Sequence, residues 1–192
     1  MTDRLRLFVA FDVPEERRRQ VQAAVEPLRT LLPAARWTRV EDQHVTLKFI
    51  GWAESSGLDA IVDACRRVAG DHEPAEMSLA GVGAFPSRKR VRVLWAGIDD
   101  PTGLGEGLAV GLADALESLG IEREERRFTP HLTLARLKTP RRVDEGALAV
   151  DLGPLEPFRV DHIVVYRSHL SPKGARYEAI ERCPLALVRP PR

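Results

Sequence analysis

Cysteine is scarce in this chain of 192 residues, with Cys65 and Cys183 its two examples. They stand far apart, so they give neither the density of a disulfide-stapled fold nor the paired spacing of a cysteine zinc site. Long apolar runs are missing as well. No stretch approaches the ~18 residues that a membrane-crossing helix needs, and the opening "MTDRLRLFVAFDVP" breaks its short apolar run at Asp12 and Pro14, too early for a secretory signal. A cytoplasmic protein with no membrane partner is expected. Neither sign of charge predominates, with 29 Lys and Arg against 28 Asp and Glu, so the global balance points to no class of partner. Basic residues do cluster locally in "SRKR" (Ser87 to Arg90), "REERR" (Arg123 to Arg127) and "PRR" (Pro140 to Arg142). A solvated surface accounts for any one of these alone. What is present is the raw material of a globular domain: 44% hydrophobic and 30% charged residues, a balance that excludes a disordered chain.

Leu5, Leu7, Val9 and Phe11 recur at period two and predict an opening strand with one buried face. Val21, Ala24, Val25, Leu28 and Leu32 predict a helix over 15–32, started at Pro14 and open to a kink at Pro27. Strand-like "RWTRV" and "HVTLKFIG" follow. Ser55 or Ser56 is then a candidate cap for a helix with Leu58, Ile61, Val62, Cys65 and Val68 on one face, closed by Gly70. Two further strand-like runs, "MSLAGVGAF" and "VRVLWAG", precede a glycine-rich helical pattern over 103–119. After "HLTLARL" come a short helical stretch around 143–150 and two β-rich runs, "FRVDHIVVYRS" and "RYEAIER", joined by the turn "SPKG". This mixture of helices with hairpin-like strands predicts an α+β fold, not a doubly wound parallel sheet.

The informative feature is a repetition: "HVTL" (His44 to Leu47) and "HLTL" (His131 to Leu134) stand 87 positions apart. Five His and eight Thr predict about 0.2 His-x-Thr strings by chance. The distance is too long for a solenoid repeat and suits two equivalent half-units. In a strand, alternation turns His44 and Thr46 to one face with Val45 and Leu47 behind them, and treats His131, Thr133, Leu132 and Leu134 likewise. Two imidazoles and two hydroxyls suit displacement at phosphorus, where the entering and leaving oxygens lie in line and need a proton acceptor and a proton donor on opposite flanks. An unperturbed pKa of ~6.5 lets histidine fill either role. Threonine hydroxyls can donate to the non-bridging oxygens. The alternatives are ordinary strand-end histidines, or a metal site, for which neither string supplies a third ligand.

These strings, with "RLFVAFDVPEE", "ARWTRVEDQHVTLKF", "GVGAFPSRKRVRVLWAGI", "RRFTPHLTLARL" and "VVYRSHLSPKGARYEAI", give the chain a resemblance over nearly its whole length. It resembles the 2H phosphoesterase superfamily, specifically the bacterial and archaeal RNA 2′,3′-cyclic phosphodiesterases, also called 2′-5′ RNA ligases. That resemblance implies a single catalytic domain over 1–192 made of two pseudo-symmetric lobes, with antiparallel sheets lining a central cleft and helices packed outside. It also implies hydrolysis of RNA 2′,3′-cyclic phosphate ends to 2′-phosphomonoesters without metal or other cofactor, with reversible ATP-independent 2′-5′ ligation as a secondary activity. The substrate would be RNA carrying such ends, tRNA fragments among them. The family tetrad falls on His44, Thr46, His131 and Thr133. By analogy His131 is the proton acceptor that activates water, His44 the proton donor to the departing ribose oxygen, and Thr46 and Thr133 hold the phosphate, although the near symmetry leaves the direction open.

Around the tetrad, Lys48, Arg136 and Arg167 are candidate cations for an anionic transition state. Strand parity favours Lys48 and puts Arg136 out of phase. Parity also sends Phe49 to the core, which leaves Phe128 as the candidate base platform. His169 is a candidate at the substrate edge, His72 is expected at the surface, and His162 reads as structural. Trp37, Trp52 and Trp95 read as core or cleft wall, and the loop "SRKR" is a candidate for an RNA backbone. A monomer is expected, because both half-sites come from one chain. A second reading, a nucleotide- or RNA-binding module without the chemistry, is disfavoured by the intact tetrad. Cleavage of 2′-5′ oligonucleotides is the nearest competing activity.

Overall fold

The computed structural model describes residues 3–153, 155–171 and 174–186. Pro172 and Lys173 of the predicted turn lie outside the described residues. The period-two opening forms β1 (Arg4–Phe11), and its Leu5, Leu7, Val9 and Phe11 are all buried. The predicted first helix is two: α1 (Glu15–Ala24) and α2 (Glu26–Leu31) meet at Val25, with Pro27 in the first turn of the second. Proline lacks the N–H that a continuous helix would need there. A short β2 (Arg36–Trp37) leads to β3 (Val45–Glu54). The helix α3 (Leu58–Gly70) buries Ile61, Val62, Cys65 and Val68 as its spacing predicts. Its cap differs, since Ser55 and Ser56 sit in a preceding 3₁₀ turn and no side chain caps the helix. Next come β4 (Ala75–Phe85), β5 (Val91–Asp99) and α4 (Leu104–Glu117). Asp100 receives the first free amides of α4, with Gly105 N–H donating to Oδ2 at 2.7 Å. The chain ends through β6 (His131–Arg141), α5 (Glu145–Leu148), β7 (Phe158–Val160), β8 (His162–Ser171) and β9 (Gly174–Pro184).

Among the described residues all paired strands are antiparallel and join in one nine-stranded sheet ordered β7-β4-β5-β6-β3-β1-β8-β9, with β2 also on β6. The α+β expectation is met. One hydrophobic cluster combines the apolar face of the sheet (Leu7, Val9, Phe11, Val45, Leu94, Leu132) with the inner faces of the helices (Val21, Leu28, Cys65, Leu108, Leu112). The helices thus cover one face. The other carries both histidine strings.

Along the main path four strands lie on each side of the β3/β6 seam, with β2 added on β6, and that seam is one residue pair, Val45 opposite Leu132. Both residues are fully buried. Immediately beyond each Thr the ladder slips by one residue. On β3, Thr46 pairs with Ala10 but Lys48 pairs with Val9, so Leu47 is extra. On β6, Thr133 pairs with Trp95 but Ala135 pairs with Leu94, so Leu134 is extra. These bulges occupy the same place in the two strings, and each reverses the facing of the side chains between it and the next irregularity of its ladder. Leu134 stays anchored, its carbonyl accepting from Thr38 N–H at 2.8 Å.

On the far side of β6, Trp95 lies flat over its strand neighbour Gly83, where an added Cβ would stand 2.2 Å from the indole ring. The ring in turn backs His131, with centroids 6.2 Å apart. Gly83→Val should therefore cost about 1–3 kcal/mol, as overpacking does, and should change the tryptophan emission. An unchanged melting temperature and spectrum would contradict this packing.

Candidate active site

The Val45–Leu132 pair fixes the relation of the two strings: continuing its antiparallel register puts His44 across from Thr133 and Thr46 across from His131. All four side chains are half-buried on the face away from the helices. His44, Thr46 and Thr133 line one small cleft together with Arg6, Phe8, Thr38, Phe49, Arg136 and Tyr177. His131 stands at its edge, beside Gly97 on the neighbouring strand.

Each imidazole is tied to the backbone two residues upstream. His131 Nδ1–H donates to the Thr129 carbonyl at 2.7 Å, and the His44 ring bonds the Asp42 backbone in the same way. With Nδ1 of His131 so engaged, its neutral ring presents the bare Nε2 lone pair. Aromatic walls fix the ring planes. His44 stacks on Phe8 with centroids 4.7 Å apart and meets Tyr177 edge-on at 4.9 Å, whereas His131 meets Phe85 edge-on at 5.1 Å. Behind Phe8 lies Tyr166, whose hydroxyl donates to Asp12 Oδ1 at 2.6 Å.

Burial is the main influence on both rings, and it disfavours the imidazolium. The His44 pKa falls to about 4, opposed by the Asp12 carboxylate and by the Asp42 backbone, and aided by Arg136. The His131 pKa also falls, through burial first, with the Thr129 carbonyl opposing and Arg136 assisting. The two sites differ in one respect: carboxylates favour the cation on His44 and not on His131. Arg136 acts on both.

The bulges explain where the neighbouring candidates go. Lys48 is turned into the protein, 1% exposed, and donates to Glu124 Oε2 and to the Glu122 carbonyl, both at 2.5 Å. It is a strap to the loop before β6, not a cleft cation. Phe49, sent to the core by simple alternation, returns to the cleft face and is 55% exposed. Arg136, placed out of phase by the same alternation, returns beside Thr133. Of the two cations it is thus Arg136, not the parity-favoured Lys48, that lines the cleft, and of the two phenylalanines it is Phe49, not Phe128. Phe128 packs against Gly105 at the start of α4 and against the core, which corrects its reading as a base platform. Arg167 alternates away from Tyr166 on β8 and pairs in register with Leu7 and Glu178. His169 is exposed and bonds Glu178 at 2.7 Å. Neither lines the cleft.

Arg6, Phe8, Tyr166 and Tyr177 are the residues that the sequence reading missed. For Arg6 and Phe8 a signal existed, because Leu5, Leu7, Val9 and Phe11 leave the even positions of β1 to the opposite face. Among the other residues, His72 is half-buried where α3 meets α4, its Nδ1–H donating to the Val68 carbonyl at 2.8 Å and its Nε2 against Gly107. Trp52 is 54% exposed and is not core. Beyond Phe49 a separate cavity of about 820 Å³ is lined by Lys48, Trp52, Leu119 and Glu124. Among the described residues, no three His, Cys, Asp or Glu side chains converge as metal donors, and no helix is long and apolar enough to cross a membrane.

Comparison with known proteins completes the description. A model of the 2′-5′ RNA ligase superfamily matches residues 14–172. The chain is 32% identical to an RNA 2′,3′-cyclic phosphodiesterase of Methanothermobacter thermautotrophicus over 93% of this chain and 97% of that one. It is 33% identical to one from Thermus thermophilus over 93% and 89%. A crystal structure of a Thermus thermophilus protein superposes with a TM-score of 0.75 at 30% identity, covering 96% of this chain and all of the other. Escherichia coli LigT complexed with 3′-AMP shares the fold, with a TM-score of 0.76 at 24% identity over 96% of this chain and 100% of that one.

The strap assignment of Lys48 has a direct check. Lys48→Met should leave turnover within about twofold and stability near wild type, whereas Glu124→Ala should lower stability by about 1 kcal/mol, because it removes one of the two acceptors that the buried ammonium has here, the other being the Glu122 carbonyl. A large loss of turnover in Lys48→Met with the fold intact would contradict it.

Proposed function

The chain belongs to the 2′-5′ RNA ligase superfamily, and from that premise we propose that it hydrolyses RNA 2′,3′-cyclic phosphate ends to 2′-phosphomonoesters. The observation that carries the reading is the single seam pair, Val45 with Leu132, which turns both His-x-Thr strings onto one open face of the sheet. In the proposed reaction a water oxygen forms the new bond to phosphorus while the bond to the ribose 3′-oxygen breaks. His131 accepts the water proton at Nε2, and His44 gives its proton to the departing oxygen. Thr46 and Thr133 donate to the non-bridging oxygens, and Arg136 offsets their charge. The step is balanced by the two imidazoles without a metal.

The asymmetry of the flanking carboxylates supports this direction. Asp12 and Asp42 favour a cation on His44, whereas His131 has no carboxylate among the influences on it; burial still outweighs the carboxylates and lowers His44 to about 4. Burial opposes the His44 cation in the empty cleft, and an anionic phosphate bound against it compensates that penalty. Ligation is the same displacement run with the ribose 5′-hydroxyl of a second strand in place of water, the bond to the 3′-oxygen breaking as before. Hydrolysis prevails because water is in large excess. The proposal extends to a monomeric, cytoplasmic enzyme formed as one catalytic domain of two half-units, acting on cyclic-ended RNA such as tRNA fragments.

Product analysis tests the reading. Wild-type protein with a 2′,3′-cyclic nucleotide should release the 2′-monophosphate, undiminished by EDTA, and His44→Ala and His131→Ala should each lower kcat by about 10²–10⁴-fold. Binding without conversion would favour the binding-module reading. The pH dependence follows from the two shifts. The base must be deprotonated and the acid protonated, and with His44 at about 4 and His131 below 6.5 in the free protein, kcat/KM should fall as pH rises above about 6.5. Substrate raises the His44 value, so the basic limb of kcat should lie higher. A kcat/KM that still climbs between pH 7 and 9 would contradict the assignment.

A further inference from the structure

Two basic segments far apart in sequence form one surface. Residues 87–92 and 138–144 together hold seven Lys or Arg and one acid, Asp144. They meet where Val91 pairs with Arg141 and where Val143 N–H donates to the Arg88 carbonyl at 3.0 Å. Val91 and Val143 are buried beneath as anchors. Arg88, Lys89, Arg90, Arg92, Lys138, Arg141 and Arg142 all stay exposed above. Basic residues outnumber acids across both segments even when the next residue, Glu145, is counted: Asp144 lies 3.9 Å from Arg142, and Arg92 donates to the Lys138 carbonyl at 3.3 Å. Such a concentration of like charge creates a positive surface potential that attracts an external polyanion.

The surface is also connected to the cleft. On β6 the exposed side chains run from Arg136, in the cleft beside Thr133, through Lys138 to Arg141 and Arg142. The partner strand β5 runs from Val91, on this surface, to Gly97, beside His131, which is about 20 Å at ~3.3 Å per residue. That is beyond the reach of a single nucleotide held at the tetrad. It also exceeds the Debye length of about 8 Å at physiological ionic strength, so these charges act weakly on the reacting phosphate itself.

We propose that this platform, continuous with the cleft along β6, holds the backbone of RNA upstream of the cyclic end and gives the enzyme its preference for a polynucleotide over a cyclic mononucleotide. The inference rests on the phosphodiesterase reading above. Phosphate contacts of this kind release counterions and give affinity without sequence preference. Upstream nucleotides should therefore be bound by charge, not by base identity.

The test compares wild type with the triple variant Arg88→Gln, Arg90→Gln, Arg141→Gln. Binding of a labelled, unstructured oligoribonucleotide of about a dozen residues ending in a 2′-phosphate is measured as salt is varied. Losing three phosphate contacts at roughly 0.7 each should flatten the slope of log Kd against log salt by about 2, and should weaken low-salt binding at least about tenfold. The kcat/KM of a cyclic mononucleotide should stay within about twofold. The triple lysine variant should restore the slope, because a charge is what the phosphate needs. An unchanged slope, an equal loss on the mononucleotide, or poly-glutamate displacing the RNA as well as unlabelled RNA does would overturn the proposal. Absent mononucleotide turnover by wild type would count against the phosphodiesterase reading alone, since the slope is read from binding.

Discussion

The pairing of Val45 with Leu132 is the contact on which the arrangement of this protein depends. Two four-stranded halves of a sheet share that one ladder position and then diverge, with β2 taking the place of β3 along β6. A longer ladder would close the groove, and none would leave the histidines unrelated. Because both seam residues are buried against the helix layer, the hydrophobic effect holds the halves together. The same alternation that buries them turns His44, Thr46, His131 and Thr133 outward. Core packing and the placement of the four polar side chains are thus two faces of one strand pair.

The duplicated bulges make the second contribution. Leu47 and Leu134 sit at matching points of the two strings, and each re-aims the strand beyond it. One delivers Phe49 to the cleft and the other delivers Arg136, an apolar surface and a cation from equivalent positions. Here the half-units have diverged in chemistry while keeping their geometry. The site is correspondingly lopsided: His44 is flanked by aromatic rings and carboxylates, whereas His131 has the Thr129 carbonyl, aromatic rings and Arg136 acting on it, with no carboxylate among those influences.

Much of this was legible in the sequence, for identifiable reasons. The period-two pattern of β1, the helical spacing of α3 and the repeated His-x-Thr strings each express a local rule that nothing in the fold overrides. Proline at position 27 marked the break between α1 and α2. The cleft-facing identity of Lys48 and Arg136 was not legible, because a bulge has no local signature when the extra residue is a leucine that packs like its neighbours. Once each ladder slips, parity counting gives the wrong face with full regularity. Phe128 failed for a different reason, since closeness in sequence to His131 says nothing about which layer a preceding loop enters. The union of "SRKR" with "PRR" depended on a long-range strand pair that no local pattern announces.

The central claim is that both imidazoles address one phosphoryl group. Its most direct measurement is an NMR titration of the His44 and His131 rings with inorganic phosphate. In the empty protein both should be neutral at pH 7, with the His44 value near 4. Phosphate should shift both sets of resonances along one binding isotherm and raise the His44 value, and His131→Ala should weaken that isotherm. Two rings that respond at different phosphate concentrations, or one that does not respond at all, would contradict it.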